Sequence, residues 1–163
     1  MKILKRLGVV ALLLVFFAYG AYLGRHELTR MQEQLPSFTA AAGETQQVRI
    51  EMQDGVKLFT SVMLPEGEGP FPSVLLRNPY ARFTPIMRDT LCGRFIRYGY
   101  ACVLQDVRGQ GESEGEWSPM VNEVRDGRDT ISWLVEQPFQ DGNIAMVGPS
   151  YLASVQYAVA ASG

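Results

Sequence analysis

Ser150 stands where an apolar run, Ile144 to Gly148, gives way to an alanine-rich stretch, Tyr151 to Ala161. A serine at a tight strand-to-helix turn exposes its hydroxyl at the carboxyl end of a sheet, where it can act as a nucleophile. The N–H groups at the start of the helix, that of Tyr151 first, and the helix dipole then face any oxyanion formed beside it. The short pattern around Ser150 is imperfect. G-x-S-x-G requires glycine where Leu152 stands, so by itself the pattern fits a helix N-cap serine better than a nucleophile. Acyl transfer also needs a general base, and the chain's single histidine, His26, precedes the serine and lies next to an apolar N-terminal run.

The elements that must position Ser150 follow from apolar periodicity. Gln47 to Met52 and Val56 to Met63 alternate polar and apolar residues on either side of Asp54-Gly55, which predicts an antiparallel hairpin. After the Pro/Gly-rich turn Pro65 to Pro72, Ser73 to Leu76 reads as a strand buried on both faces. Ile86 to Tyr98 shows helical spacing closed by Gly99, and Tyr100 to Gln105 reads as a second buried strand. A glycine-rich loop leads to a helix over Glu123 to Gln137 that stops at Pro138. Asn143 to Val147 is a short strand, and Tyr151 to Ala161 a helix. A hairpin followed by alternating strands and helices predicts an α/β fold, a parallel sheet with helices on both faces. The sequence stops at Gly163, just after the helix that follows Ser150, and is expected to be the N-terminal part of a larger domain.

Residues 1–24 belong to targeting. Lys2, Lys5 and Arg6 precede an uncharged run from Leu7 to Gly24, the pattern of a signal peptide or, near the roughly 20 residues needed to cross a bilayer, a single-pass anchor. Both forms are open, with cleavage expected after Gly20 if it occurs. Residues 25–46 read as a linker carrying Pro36 and Gly43, and residues 47–163 as the folded domain. Localisation is therefore expected to be exported, either membrane-anchored or periplasmic/secreted.

The composition, 47% hydrophobic and 20% charged, is that of a globular domain. A net charge of −2 without a basic patch excludes a nucleic-acid partner. Cys92 and Cys102 read as buried free thiols, Cys102 lying in the Tyr100–Leu104 run, with a disulfide as the alternative in an oxidising compartment. Neither has neighbours suited to a metal site. Glu123, Asp126 and Asp129, interleaved with Arg125 and Arg128, have the spacing of a solvated or capping helix face. Trp117 and Trp133 read as loop packing and core.

Several blocks carry a wider likeness: Asp54-Gly55-Val56-Lys57-Leu58 in the hairpin, then RNPY (Arg77 to Tyr80), DVRGQGESEGEW (Asp106 to Trp117), EVRDGRDTISWL (Glu123 to Leu134) and DGNIAMVGPSY (Asp141 to Tyr151). In this order, from about Val48 to the end, the sequence resembles the cocaine-esterase and X-Pro dipeptidyl-peptidase group of α/β-hydrolases. That family uses G-x-S-Y-x-G; Gly148, Ser150 and Tyr151 match it, while Ala153 replaces the last glycine.

The resemblance implies the N-terminal part of an α/β-hydrolase fold with Ser150 as nucleophile, and Tyr80 with its hydroxyl in the oxyanion hole beside the Tyr151 N–H. A phenol can donate to a developing alkoxide and keep its proton, whereas a bland reading leaves Tyr80 an amphipathic loop residue. Asp106 and Arg108 would brace their loop by charge-assisted hydrogen bonds. The implied activity is that of a serine hydrolase on small-molecule ester, amide or X-Pro peptide substrates, without cofactor or metal. In this fold the acid and the histidine of the triad follow the serine, so they are expected beyond Gly163 and the chain alone is expected to be inactive. The contrasting expectation is a non-catalytic, membrane-anchored α/β binding module.

Overall fold

The computed structural model describes residues 40–162 and, ahead of them, Ala18 alone. The export segment apart from Ala18, the linker up to residue 39, His26 and Gly163 lie outside the described residues.

Strand β1 (Ala42–Glu51) pairs antiparallel with β2 (Lys57–Pro65), with Ile50 opposite Leu58 and Val48 opposite Thr60. Asp54-Gly55 makes the turn as its chemistry requires: Gly55 has φ +82, and the Asp54 carboxylate accepts from the Val56 N–H at 3.3 Å. The ladder starts at Ala42, upstream of Gln47, so the last residues read as linker are strand. They are exposed, and a strand without a buried face shows no alternation to read.

Strands β3 (Phe71–Asn78), β4 (Ala101–Asp106) and β5 (Gln140–Met146) complete a five-stranded sheet in the order β1-β2-β4-β3-β5. β2 and β4 are antiparallel, whereas β4, β3 and β5 run parallel, Leu75 lying opposite both Val103 and Met146. Between β3 and β4 the chain forms a 3₁₀ turn (Ala81–Phe83), helix α1 (Thr84–Met87), a π-helical turn (Arg88–Cys92) and helix α2 (Gly93–Arg97). Helix α3 (Glu123–Val135) precedes β5, and α4 (Tyr151–Ala160) follows it.

Alternation along β3 divides the core into two faces. Val74 and Leu76 pack with Cys92, Ile96 and Leu152, and Leu75 packs with Val62, Val103 and Leu134 of α3. Helices thus cover both faces. Cys92 and Cys102 meet in the first of these clusters and form a disulfide, which corrects the expectation of free thiols. Both are fully buried, as expected for thiols in a core; packing of the π-turn on β4 brings them together, a contact absent from any local pattern.

The acidic residues of α3 need a second correction. Glu123, Asp126 and Asp129 are 3%, 1% and 8% exposed, so they form a buried face, not a solvated one. Each is matched from elsewhere in the chain: Asp126 by Arg108 at 2.7 and 2.9 Å, Asp129 by the Gln53 backbone and side chain, and Glu123 by Arg77 at 2.8 Å. Buried charges persist only when so partnered.

From β3 the chain moves to β4 on one side and returns across it to β5 on the other. The loops leaving the carboxyl ends of β3 and β5 therefore emerge from neighbouring parallel strands, at the end of the sheet where open α/β folds form their ligand crevices.

Candidate active site

Two residues leave those two strand ends. After β5, Gly148 (φ +147) and Pro149 bring the chain sharply to Ser150, which adopts φ +57 and ψ −127. Among the described non-glycine residues only Met120 shares a positive φ. A strained backbone of this kind costs about 1–3 kcal/mol and persists where surrounding bonds over-determine it. Here Leu152 N–H donates to Pro149 O at 3.1 Å, while Ala153 and Ser154 N–H groups donate to Ser150 O at 3.0 and 3.1 Å. Pro149 accepts in this turn and needs no donor. Tyr151 N–H takes part in none of these turn bonds.

Ser150 occupies the N-cap position of α4, yet its side chain makes no capping hydrogen bond. Its Oγ lies instead 3.2 Å from the hydroxyl of Tyr80, and both residues are exposed. The N-cap reading therefore fails on geometry, and the structure brings together the two side chains that the sequence singles out. The Ala153 substitution leaves the helix intact.

Tyr80 follows β3 and is held by Asn78, whose Oδ1 accepts from the Tyr80 N–H at 2.9 Å and whose Nδ2 donates to the Tyr80 carbonyl at 3.3 Å. Asn78 also donates to Thr84 Oγ1 at 2.8 Å, and Thr84 donates to Asp106 Oδ1 at 2.7 Å. Burial raises the Asp106 carboxyl above the ordinary carboxylate range, opposed by its hydrogen bonds from Thr84 and Glu112 N–H. Asp106 thus braces the loop that carries Tyr80. Arg108 braces the next one through Asp126 and Asp54, which lie 2.7 and 2.9 Å from its guanidinium, and these bonds raise its already high pKa.

Tyr151 contributes more than its N–H. Its hydroxyl donates to Glu123 Oε1 at 2.9 Å and accepts from Met120 N–H at 2.8 Å, and its ring lies against Trp117 with centroids 6.3 Å apart. Burial, with the Glu123 carboxylate adding to it, raises the phenol's pKa. Sequence reading missed Asn78 and Glu123 as parts of this site. Their signal was present in the RNPY and EVRDGRD blocks, but no spacing rule connects those blocks to Ser150.

A strained serine and a phenol thus leave neighbouring parallel strands with their oxygens 3.2 Å apart, an arrangement with the geometry that a nucleophile and an oxyanion donor require. Comparison with known proteins bears on the family and the fold. The pattern of the X-Pro dipeptidyl-peptidases (S15 family) matches residues 54–163. A cocaine esterase of Rhodococcus sp. (strain MB1 Bresler) is 44% identical over 119 residues, 71% of this chain and 21% of that protein. Among solved structures, an α-amino acid ester hydrolase superposes with a TM-score of 0.61 at 35% identity, over 71% of this chain and 22% of the other. An aminopeptidase from a marine-sediment Thaumarchaeota archaeon superposes with a TM-score of 0.62 at 31% identity and the same coverage. A CocE/NonD family hydrolase from Staphylococcus aureus superposes with a TM-score of 0.63 at 27% identity, over 76% and 26%. The fold is accordingly part of an α/β hydrolase, and the chain spans about a fifth of the length of the curated relatives it matches. By the extent of that match, the chain belongs to the X-Pro dipeptidyl-peptidase (S15) family.

Proposed function

We propose that this chain carries the nucleophile and oxyanion side of an exported serine hydrolase acting on ester or amide substrates. The observation that supports it most is Ser150 itself, held at φ +57 with its hydroxyl uncommitted to capping and 3.2 Å from Tyr80 Oη. In the proposed reaction Ser150 Oγ attacks the acyl carbon as a general base takes its proton. The carbonyl oxygen becomes an oxyanion between the Tyr80 hydroxyl and the Tyr151 N–H. Collapse expels the alcohol or amine, which leaves with that proton, and water then cleaves the acyl-enzyme.

The described residues contain no histidine, so a histidine base would come from residues outside them. The relatives act on esters and, as an aminopeptidase, on amides, which supports this substrate class for the whole protein. Export is supported by the basic and apolar N-terminal pattern and by the Cys92–Cys102 disulfide, because such bonds persist in oxidising compartments.

The test is to express the native gene product and treat it with a fluorophosphonate probe. Covalent labelling that Ser150→Ala abolishes, with the fold retained by circular dichroism, is the expected result. A folded protein that the probe does not label would instead point to a non-catalytic binding module.

A further inference from the structure

The Tyr151 hydroxyl begins a chain of buried bonds that crosses the domain. It donates to Glu123 Oε1 at 2.9 Å, and the other carboxylate oxygen, Oε2, lies 2.8 Å from Arg77 Nη1 at an angle that gives it an ion pair but no hydrogen bond. Arg77 Nη1 donates at 2.9 Å to the Glu123 backbone carbonyl, so the guanidinium grips both ends of that residue. Arg77 is only 1% exposed. Its Nε donates to Gln105 Oε1 on β4 at 2.9 Å, and Gln105 is bonded in turn to Thr60 of β2 and Thr130 of α3. Gly127 of α3 lets α4 approach closely, for a Cβ there would overlap Val159 Cγ2, and it would also stand 3.2 Å from Arg77 Nη1.

A buried arginine is costly: burial lowers the Arg77 pKa, while Glu123 and Asp126 counter that shift. Stability alone gives no reason to aim such a network at one phenol. The phenol, however, belongs to the residue directly after Ser150, whose N–H serves the oxyanion in the proposed reaction, while the residue directly after Arg77, Asn78, holds Tyr80. The end of β3 therefore fixes both sides of the site.

We infer that Arg77 and Glu123 are positioning residues that hold the Ser150–Tyr151 turn in register with Tyr80 through the Tyr151 hydroxyl. The inference rests on the serine hydrolase reading and assigns its side-chain support. The tether adds no group to the reaction. It fixes the distance between nucleophile and oxyanion donor, and small misplacements of that kind cost catalysis without weakening substrate binding.

The experiment compares Tyr151→Phe, Arg77→Lys and their double variant in the native gene product, with kcat, KM and melting temperature measured for each. Tyr151→Phe keeps the ring on Trp117 and the backbone N–H, and removes the hydroxyl with its bonds to Glu123 and from Met120 N–H; Arg77→Lys loosens the tether without touching the Met120 bond. Arg77→Lys keeps the charge but not the fork, and stands as the second variant should the first fail to fold. Each single change is expected to lower kcat by about 10-fold or more with KM little changed. The double variant should be no slower than the slower single, because one cut already releases the tether. The loss from Tyr151→Phe should also shrink in a Tyr80→Phe background, since the distance being held is the one to Tyr80. Unchanged kcat in both folded singles, a change in KM alone, or losses that multiply fully would each overturn the inference. Ser150→Ala is run alongside: turnover surviving it would overturn the nucleophile reading, whereas its loss combined with an unaffected Tyr151→Phe would overturn the tether alone.

Discussion

Gly148→Ala tests whether the turn before Ser150 is as constrained as its geometry implies. Gly148 has φ +147, a conformation that side-chain-bearing residues rarely adopt. A Cβ added there would stand 2.6 Å from Leu152 Cδ2, 3.0 Å from its Cγ and closer still to its Cβ. Leu152 cannot swing aside, because it is 1% exposed and packed with Val74, Leu76, Cys92 and Ile96. Strained backbone of this sort costs about 1–3 kcal/mol, and forcing extra volume into a packed core costs about 1–3 kcal/mol. The substitution should therefore destabilise the protein by roughly 2–6 kcal/mol. Because both effects act two residues from Ser150, fluorophosphonate labelling should slow even where the fold survives. The assay is the urea midpoint of the native gene product together with its labelling rate. Adding Leu152→Ala removes two of the three overlapping atoms, so Gly148→Ala should cost less in that background. An unchanged midpoint and labelling rate in Gly148→Ala would refute the argument that the turn is sterically fixed.

Three further outcomes follow from the site and its supports. Tyr80→Phe removes the one side-chain donor 3.2 Å from Ser150 Oγ and should lower kcat by about 10²–10³-fold with little change in KM, as measured by steady-state ester hydrolysis. Replacing both Cys92 and Cys102 with alanine should cost about 2–4 kcal/mol, toward the lower end because the bond closes only a 10-residue separation, and reductant should shift the urea midpoint of the parent protein alone. The Asp106 carboxyl is raised by burial, so its contribution to stability is fully present below the ordinary value of 3.8 and is lost as pH rises through the higher folded pKa. Asp106→Asn, with its carbonyl toward Glu112 N–H and its amide toward Thr84, should flatten urea midpoints measured across that window; a slope equal to the parent's would refute the assignment.

The sequence carried the strand and helix order and the hairpin turn, because these rest on local periodicity and turn chemistry, and blocks shared with a family singled out Ser150 and Tyr80, whose oxygens lie 3.2 Å apart. Contacts between distant segments left no such mark. Cys92 and Cys102 each sit in an apolar setting suited to a buried thiol, and only the seating of the π-turn on β4 joins them. Glu123, Asp126 and Asp129 alternate with arginines as a surface face would, but Arg77, Arg108 and Gln53 reach them from strand ends and a turn far away in the chain. The π-helical insertion at Arg88–Cys92 likewise has no compositional signal. The Asn78 clamp was hidden for a different reason, since an asparagine after an apolar strand reads as a turn former.

The adjacency of Arg77 and Asn78 also sets a rule for changes in chain length. Their side chains leave opposite faces of β3, one toward Glu123 and the other toward Tyr80 and Thr84. A strand's faces alternate at every residue, so inserting or deleting a single residue within β3 would exchange them, turning the guanidinium toward the loop and the amide toward α3. Indels inside the strand are therefore expected in even numbers or not at all. Grafting this site onto another sheet meets the same arithmetic: the recipient strand must end on the correct parity before any side chain is chosen.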